Sequence, residues 1–204
     1  SKIDFLSFSG HKMCGPTGVG VLVGKRELLE EMEPLFLGGG MNASFNSDNT
    51  YELRDVPIRL EAGTPPIAEV IGMGEAIKYL ISIGMENIHK HEIELKKYLL
   101  DKVNDIDNIT VFNKDCNNGI LAFNIDGVFA QDTSIYLNKH NIFVRAGNHC
   151  AKLLKDEIIV KNTVRVSMYL YNNYQDIDKF IEVLKNKDNL YKEILWWMII
   201  LEEK

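Results

Sequence analysis

Two stretches of helical periodicity meet at a single glycine, and that junction constrains the fold more than any other feature of the chain. From Ala68 to Ile83 the apolar residues Val70, Ile71, Ile77, Leu80 and Ile81 recur near helical spacing, and Gly84 follows as a C-cap. A second helix is expected from Glu86 to Val103. Upstream, Phe5 to Phe8 reads as a short strand, Ser9 to Gly18 as a turn, Val19 to Val23 as a buried strand and Arg26 to Met32 as a short helix. Pro34 to Tyr51 holds Gly38-Gly39-Gly40 with several Asn and Ser residues and reads as a long loop, a kind of segment that is usually functional inside a compact domain. Downstream, strands are expected at Ile109 to Phe112, Ile120 to Ile125, Ile142 to Arg145 and Thr163 to Met168. Helices are expected at Asp132 to His140 and Gln175 to Leu184, with a loop from Ala146 to Glu157. The pattern is mixed α and β without an internal repeat. It divides near Ile83 to Met85, residues 1–83 reading as the tail of an α/β domain, 84–187 as a small α+β domain and 188–204 as a tail.

The bulk numbers narrow the function. A chain of 204 residues with 46% hydrophobic content can bury a real core. Its net charge is -6 and no basic stripe is present, so nucleic acid is excluded as a partner. The three cysteines, Cys14, Cys116 and Cys150, fit neither a disulfide framework nor a zinc pattern, which points to a reducing, cytoplasmic compartment. The seven-residue apolar run from Leu195 to Leu201 is too short to span a bilayer, so no membrane association is expected. Ser1 to Phe8 does not read as a signal peptide, and a start at Ser1 close to a strand suggests a fragment or a processed chain. His89 and His91, two apart on a helix, face different directions and give no metal site.

Two clusters carry possible chemistry. Ser9-Gly10-His11-Lys12 ends a strand and is followed by Cys14-Gly15-Pro16-Thr17-Gly18. A strand-end lysine sits where open α/β folds bind ligands, and flanking glycines let the backbone approach a flat cofactor. Ser9 and His11 could hold a phosphate. Spacing alone favours a solvated lysine. The second cluster is Arg145-Ala146-Gly147-Asn148-His149-Cys150. Arg145, His149 and Lys152 surround the thiol with positive charge, which favours a reactive thiolate over an inert cysteine. Arg165 interrupts the apolar strand Val164-Arg165-Val166; it either clamps a carboxylate or forms an internal ion pair.

Taken in order, these motifs resemble the cysteine desulfurases of the class V aminotransferase superfamily, in particular their Suf-type branch. The resemblance runs from about Asp4 to Lys185. It rests on Phe8-Ser9-Gly10-His11-Lys12, Gly15-Pro16-Thr17-Gly18-Val19-Gly20, Gly38-Gly39-Gly40-Met41, Arg59-Leu60-Glu61-Ala62-Gly63-Thr64-Pro65, the Arg145 to Cys150 run, and Arg165-Val166-Ser167 with Tyr171-Asn172. It implies a truncated fold type I pyridoxal-phosphate-dependent transferase: the C-terminal part of the large α/β domain plus the small α+β domain. It further implies that Lys12 binds pyridoxal 5'-phosphate as a Schiff base and later moves protons, and that Ser9 and His11 bind the cofactor phosphate. Thr64 would reach the phosphate of the other subunit in a homodimer. Arg165 would hold the carboxylate of L-cysteine with Arg145 close by. Cys150 would take the sulfur as a persulfide, leaving alanine, and pass it to a sulfur-acceptor or scaffold protein of the Suf system for iron–sulfur cluster assembly.

The chain departs from the Suf-type pattern at Asn148, where a second histidine is common, and at Ala151-Lys152-Leu153-Leu154, which lacks a usual proline. The family's ring-stacking histidine, its pyridine-pairing aspartate and its main phosphate-binding helix start come from a first half with no counterpart here. The competing readings are a selenocysteine lyase or other lyase of the same fold, and a non-catalytic fragment that only binds or dimerises. The tail from Asp188 to Lys204, with Trp196 and Trp197, either packs on a partner or belongs to the end of a reading frame.

Overall fold

The fold is that of a computed structural model, which describes residues 2–153 and 160–194. The apolar cluster from Leu195 to Leu201 and the end of the loop after the cysteine lie outside the described residues. The chain forms two compact units, Ser1–Gly84 and Met85–Lys204.

In the first unit, β1 (Phe5–Ser9) pairs antiparallel with β2 (Gly20–Gly24), with Ser9 opposite Gly20. The expectation of a buried β2 is not met. Among the described residues the two strands form a ribbon with no third strand to either side, and Phe5, Leu6, Leu22 and Val23 stand 42% to 52% exposed. The short helix α1 (Arg26–Glu31) follows, its entry tied to β1 by a 2.5 Å ion pair between Lys25 and Asp4. The stretch expected to be a long loop contains β3 (Asn42–Phe45), which pairs with β4 (Tyr51–Leu53). Composition hid this hairpin because its turn is made from polar residues. Asp48 accepts from the Thr50 amide at 3.0 Å, and Asn49 takes the left-handed conformation (φ 67°) that asparagine tolerates. Helix α2 (Ile67–Ile83) buries Met73, Ala76 and Leu80 at helical spacing and stops at Gly84, whose φ of 92° favours glycine.

The second unit holds a four-stranded antiparallel sheet in the order β5-β6-β8-β7: β5 (Ile109–Val111), β6 (Ile120–Ile125), β7 (Arg145–Gly147) and β8 (Thr163–Ser167). Helices α3 (Met85–Val103), α4 (Ala130–Lys139) and α5 (Tyr174–Lys185) build its core with the sheet. Alternation along β6 is complete, Leu121, Phe123 and Ile125 pointing into the core. Phe123 meets Phe180 of α5 edge to face at 5.9 Å, and Leu95, Leu99, Leu121, Leu137 and Val164 are fully buried around them. Each such side chain contributes roughly 1.5–3 kcal/mol by leaving water. The start of α5 is fixed by a capping box between Asn173 and Asp176, and Asn172 accepts from the Tyr169 amide at 2.9 Å. The Tyr171-Asn172 motif therefore ends directly before the helix cap Asn173. Among the described residues no helix is long and apolar enough to cross a membrane, and no three His, Cys, Asp or Glu side chains converge as metal ligands.

Candidate active site

The candidate residues fall into a lysine turn in the first unit and a cysteine–arginine cluster in the second. The lysine turn begins where β1 ends. Gly10–Lys12 forms one turn of 3-10 helix directly after Ser9. Gly10 is buried and its carbonyl accepts from the amides of Met13 (3.0 Å) and Gly15 (2.9 Å), while its own amide donates to Val19 at 2.9 Å. A Cβ at Gly10 would lie 2.9 Å from Val19 Cγ1 and 3.0 Å from the Pro16 carbonyl, and one at Gly15 would lie 2.8 Å from the Gly10 carbonyl. Only glycines allow this crossing. Pro16 in turn rests on α2, where a Cβ at Gly72 would meet its ring at 3.2 Å. The backbone beneath Lys12 is thus held from several sides. Lys12 and His11 are exposed and Ser9 is half-buried. Among the described residues none of these three side chains has a hydrogen bond or an ion pair, so all three are available to a ligand.

Thr64 is exposed just ahead of α2. The three-glycine run lies against the segment that carries it: the Gly63 amide donates to Gly39 at 3.0 Å, and a Cβ on Gly38 would come within 2.9 Å of that same amide nitrogen. Two motifs far apart in sequence are therefore joined by backbone contact.

In the second unit, Arg145 of edge strand β7 is the register partner of Arg165 on β8. Cross-strand partners share a sheet face, and like charges placed there repel. Since Ala146, Val164 and Phe123 form the next register row, on the core side, the two guanidinium groups stand on the opposite face. Of the two roles open to Arg165, the ion pair is absent: among the described residues no carboxylate pairs with it, and its Nε is buried without a hydrogen-bond partner. Two like charges and an unsatisfied donor make this face fit for an anion.

Cys150 lies next to this pair. Arg145 donates from Nη2 to its Sγ at 3.3 Å, which favours the thiolate. The turn that presents the thiol is unusual: Gly147 has φ 123°, and His149 (φ 51°) and Cys150 (φ 62°) are both left-handed. For residues other than glycine this costs roughly 1–2 kcal/mol each, so neighbouring contacts must hold the turn. His149 supplies them, its Nε2 lying 3.0 Å from the Thr163 carbonyl oxygen and 2.9 Å from Thr163 Oγ1.

The expected role of His149 as a positive neighbour is corrected here. Burial, and then the charge of Arg165, hold its imidazole below the usual histidine range and favour the neutral ring. Its ring is bonded to β8, whereas Arg145 donates to the sulfur. Sequence reasoning had no way to single out Thr163, because a threonine opening an apolar strand carries no signal of its own.

Comparison with known proteins places this geometry in a family. Residues 1–180 match the class-V aminotransferases. A cysteine desulfurase of Haloferax volcanii is 43% identical over 191 residues, which cover 92% of this chain and 44% of that protein. A probable cysteine desulfurase of Staphylococcus aureus is 45% identical over 92% of this chain and 46% of its own length. The crystal structure of the cysteine desulfurase CsdA from Escherichia coli, in its S-sulfonic acid form, superimposes with a TM-score of 0.86 at 35% identity, covering 93% of this chain and 46% of that one. The chain spans less than half the length of these relatives. Over the residues it does span, it belongs to the class-V aminotransferase family.

Proposed function

We propose that the protein, in a form spanning the full length of its relatives, is a pyridoxal-phosphate-dependent cysteine desulfurase. It takes L-cysteine, releases L-alanine and keeps the sulfur as a persulfide on Cys150, for delivery to iron–sulfur cluster assembly. The observation that carries this reading is the meeting of a guanidinium pair and a cysteine thiol on one sheet edge, with Arg145 3.3 Å from Sγ. L-Cysteine presents both a carboxylate and a sulfur to such a cluster.

The lysine turn supports the cofactor. A primary amine on a rigid, glycine-crossed backbone, flanked by the uncommitted hydroxyl of Ser9 and imidazole of His11, fits pyridoxal phosphate. When bound, that cofactor supplies an electron sink that lets the substrate's α-carbon lose a proton and its C–S bond weaken. Lys12 Nζ would hold the cofactor and would carry protons to and from the substrate. Ser9 and His11 donate to its phosphate. Thr64 donates to the phosphate held by the second subunit of a homodimer. Arg165 takes the substrate carboxylate, with Arg145 beside it. Cys150 would attack as a thiolate: an S–S bond would form between its Sγ and the substrate sulfur as the substrate's C–S bond breaks, the bonding pair passing to the substrate carbon, which takes a proton to become the methyl group of alanine.

A sulfur-acceptor or scaffold protein of the Suf type collects the persulfide, docking beside the exposed Cys150, three residues ahead of the 81% exposed Leu153. The site of action is the cytoplasm. The test is an assay of alanine and sulfide with the full-length protein, pyridoxal phosphate and L-cysteine, beside Cys150→Ser. Both products from the parent and neither from the variant is the expected result. Turnover that survives the substitution assigns the protein to another lyase class, and no turnover in either makes it a binding protein.

A further inference from the structure

The His149 side chain joins the cysteine turn to β8, the strand that carries Arg165. His149 is the residue before the nucleophile, and its Nε2 bonds both oxygens of Thr163 at 3.0 and 2.9 Å. Thr163 is buried, at 4% exposure, and stands two residues before Arg165 on β8, so both side chains leave the same face of the sheet. A carbonyl oxygen only accepts, so Nε2 carries the ring proton and Nδ1 presents a lone pair. Among the described residues that Nδ1 is buried with no hydrogen-bond partner, as is the Nε of Arg165. A fold that left both atoms unsatisfied for no purpose would lose about 1–3 kcal/mol at each. Meanwhile the left-handed backbone at His149 and Cys150 needs an anchor, and the contact of His149 with Thr163 provides one.

We propose that His149 is a positioning residue: clamped to Thr163, it holds the cysteine turn on the strand that carries the carboxylate-binding arginine, and so sets the reach of Cys150 Sγ to a substrate held by Arg165. The role deepens the cysteine desulfurase reading and rests on it. His149 itself takes no part in bond making. Its effect falls on the step in which Cys150 attacks, not on how tightly L-cysteine binds.

The experiment compares His149→Ala and His149→Gln in the full-length holoenzyme, with two readouts. The first is the split between kcat and KM for L-cysteine; the second is the rate of Cys150 alkylation by iodoacetamide, followed by peptide mass. Gln keeps an N–H near the position of Nε2. The Ala variant is expected to lose about tenfold in kcat with KM within about twofold, because misplacing a reacting group by a fraction of an ångström costs rate. Its alkylation rate should also move by at least about threefold, and Gln should restore most of both. If Ala alkylates and turns over within about twofold of the parent, or Gln is as impaired as Ala, the positioning role is overturned. If the parent makes no alanine, the desulfurase reading fails by itself, while the alkylation readout still decides whether His149 orders the turn. A thermal unfolding curve for each variant separates loss of position from loss of fold.

Discussion

The two units solve the problem of burial differently. The second closes a full core: its sheet has helices packed on one face, and fully buried side chains run from Leu95 through Phe123 to Leu190. The first has few buried apolar residues, chiefly Met41, Val56, Met73, Ala76 and Leu80, and its β1–β2 ribbon exposes apolar side chains to solvent. The cysteine and its arginines thus sit on a self-supporting scaffold. The lysine stands on a turn that is rigid locally, through Gly10, Gly15 and Pro16, within a unit whose wider surface is uncovered. Local order at a reactive side chain and global burial of its domain are separable properties, and this chain separates them.

Several substitutions would break or sharpen that contrast. The largest effect is expected at the lysine turn: Lys12→Ala in the full-length holoenzyme should reduce alanine formation by roughly 10³-fold or more, since no other group supplies the amine. Alkylation of Cys150 should proceed at the parent's rate, because the cluster in the second unit stands without Lys12. Next comes the core of the second unit. Phe123→Ala should lower its stability by about 3–5 kcal/mol, read by chemical denaturation, because Phe123 is fully buried against Phe180. Arg165→Met should then raise KM for L-cysteine by roughly 10–100-fold through loss of a charge-assisted contact of about 1.5–3 kcal/mol.

The pH dependence of stability tests the corrected view of His149. Its protonation is depressed in the folded state, by burial first and by Arg165 second, so the unfolded chain binds the proton more readily. The stability this group contributes is present in full above the ordinary histidine range and is lost as pH falls through that range toward the lower folded value. His149→Gln should flatten this acid-side decline in a series of unfolding curves; an unchanged slope would refute it. The smallest effect belongs to the exposed ribbon, where Leu22→Ser should change the stability of the isolated chain by no more than about 0.5 kcal/mol. A large loss there would mean that the ribbon is covered after all.

Much of this was legible in the sequence, and the reasons are physical. Helix α2 was legible through its apolar spacing and the Gly84 that follows it, and α3, α4, α5 and β6 lie within two residues of where they were expected. The hairpin from Asn42 to Leu53 was hidden because its strands are short and its turn polar, so composition read as loop. Strand β7 was expected three residues early: Ile142 and Val144 have β-forming side chains, but the pairing with β8 begins only at Arg145. The lysine, the cysteine and both arginines could be found from motifs. What the motifs could not convey was the cross-strand pairing of Arg145 with Arg165, or the seating of His149 on Thr163. Both depend on how β8 is registered against a segment that precedes it in the chain, and register is a property of the folded sheet.

The central claim is that Cys150 receives sulfur from L-cysteine in an enzyme whose cofactor is held at Lys12. It is tested most directly by incubating the full-length holoenzyme with L-cysteine, quenching, and mapping by peptide mass which cysteine carries an added sulfur atom. The account predicts one extra sulfur on the peptide that contains Cys150 and none on those that contain Cys14 or Cys116. Sulfur on either of the other two, or on none of the three, would contradict it.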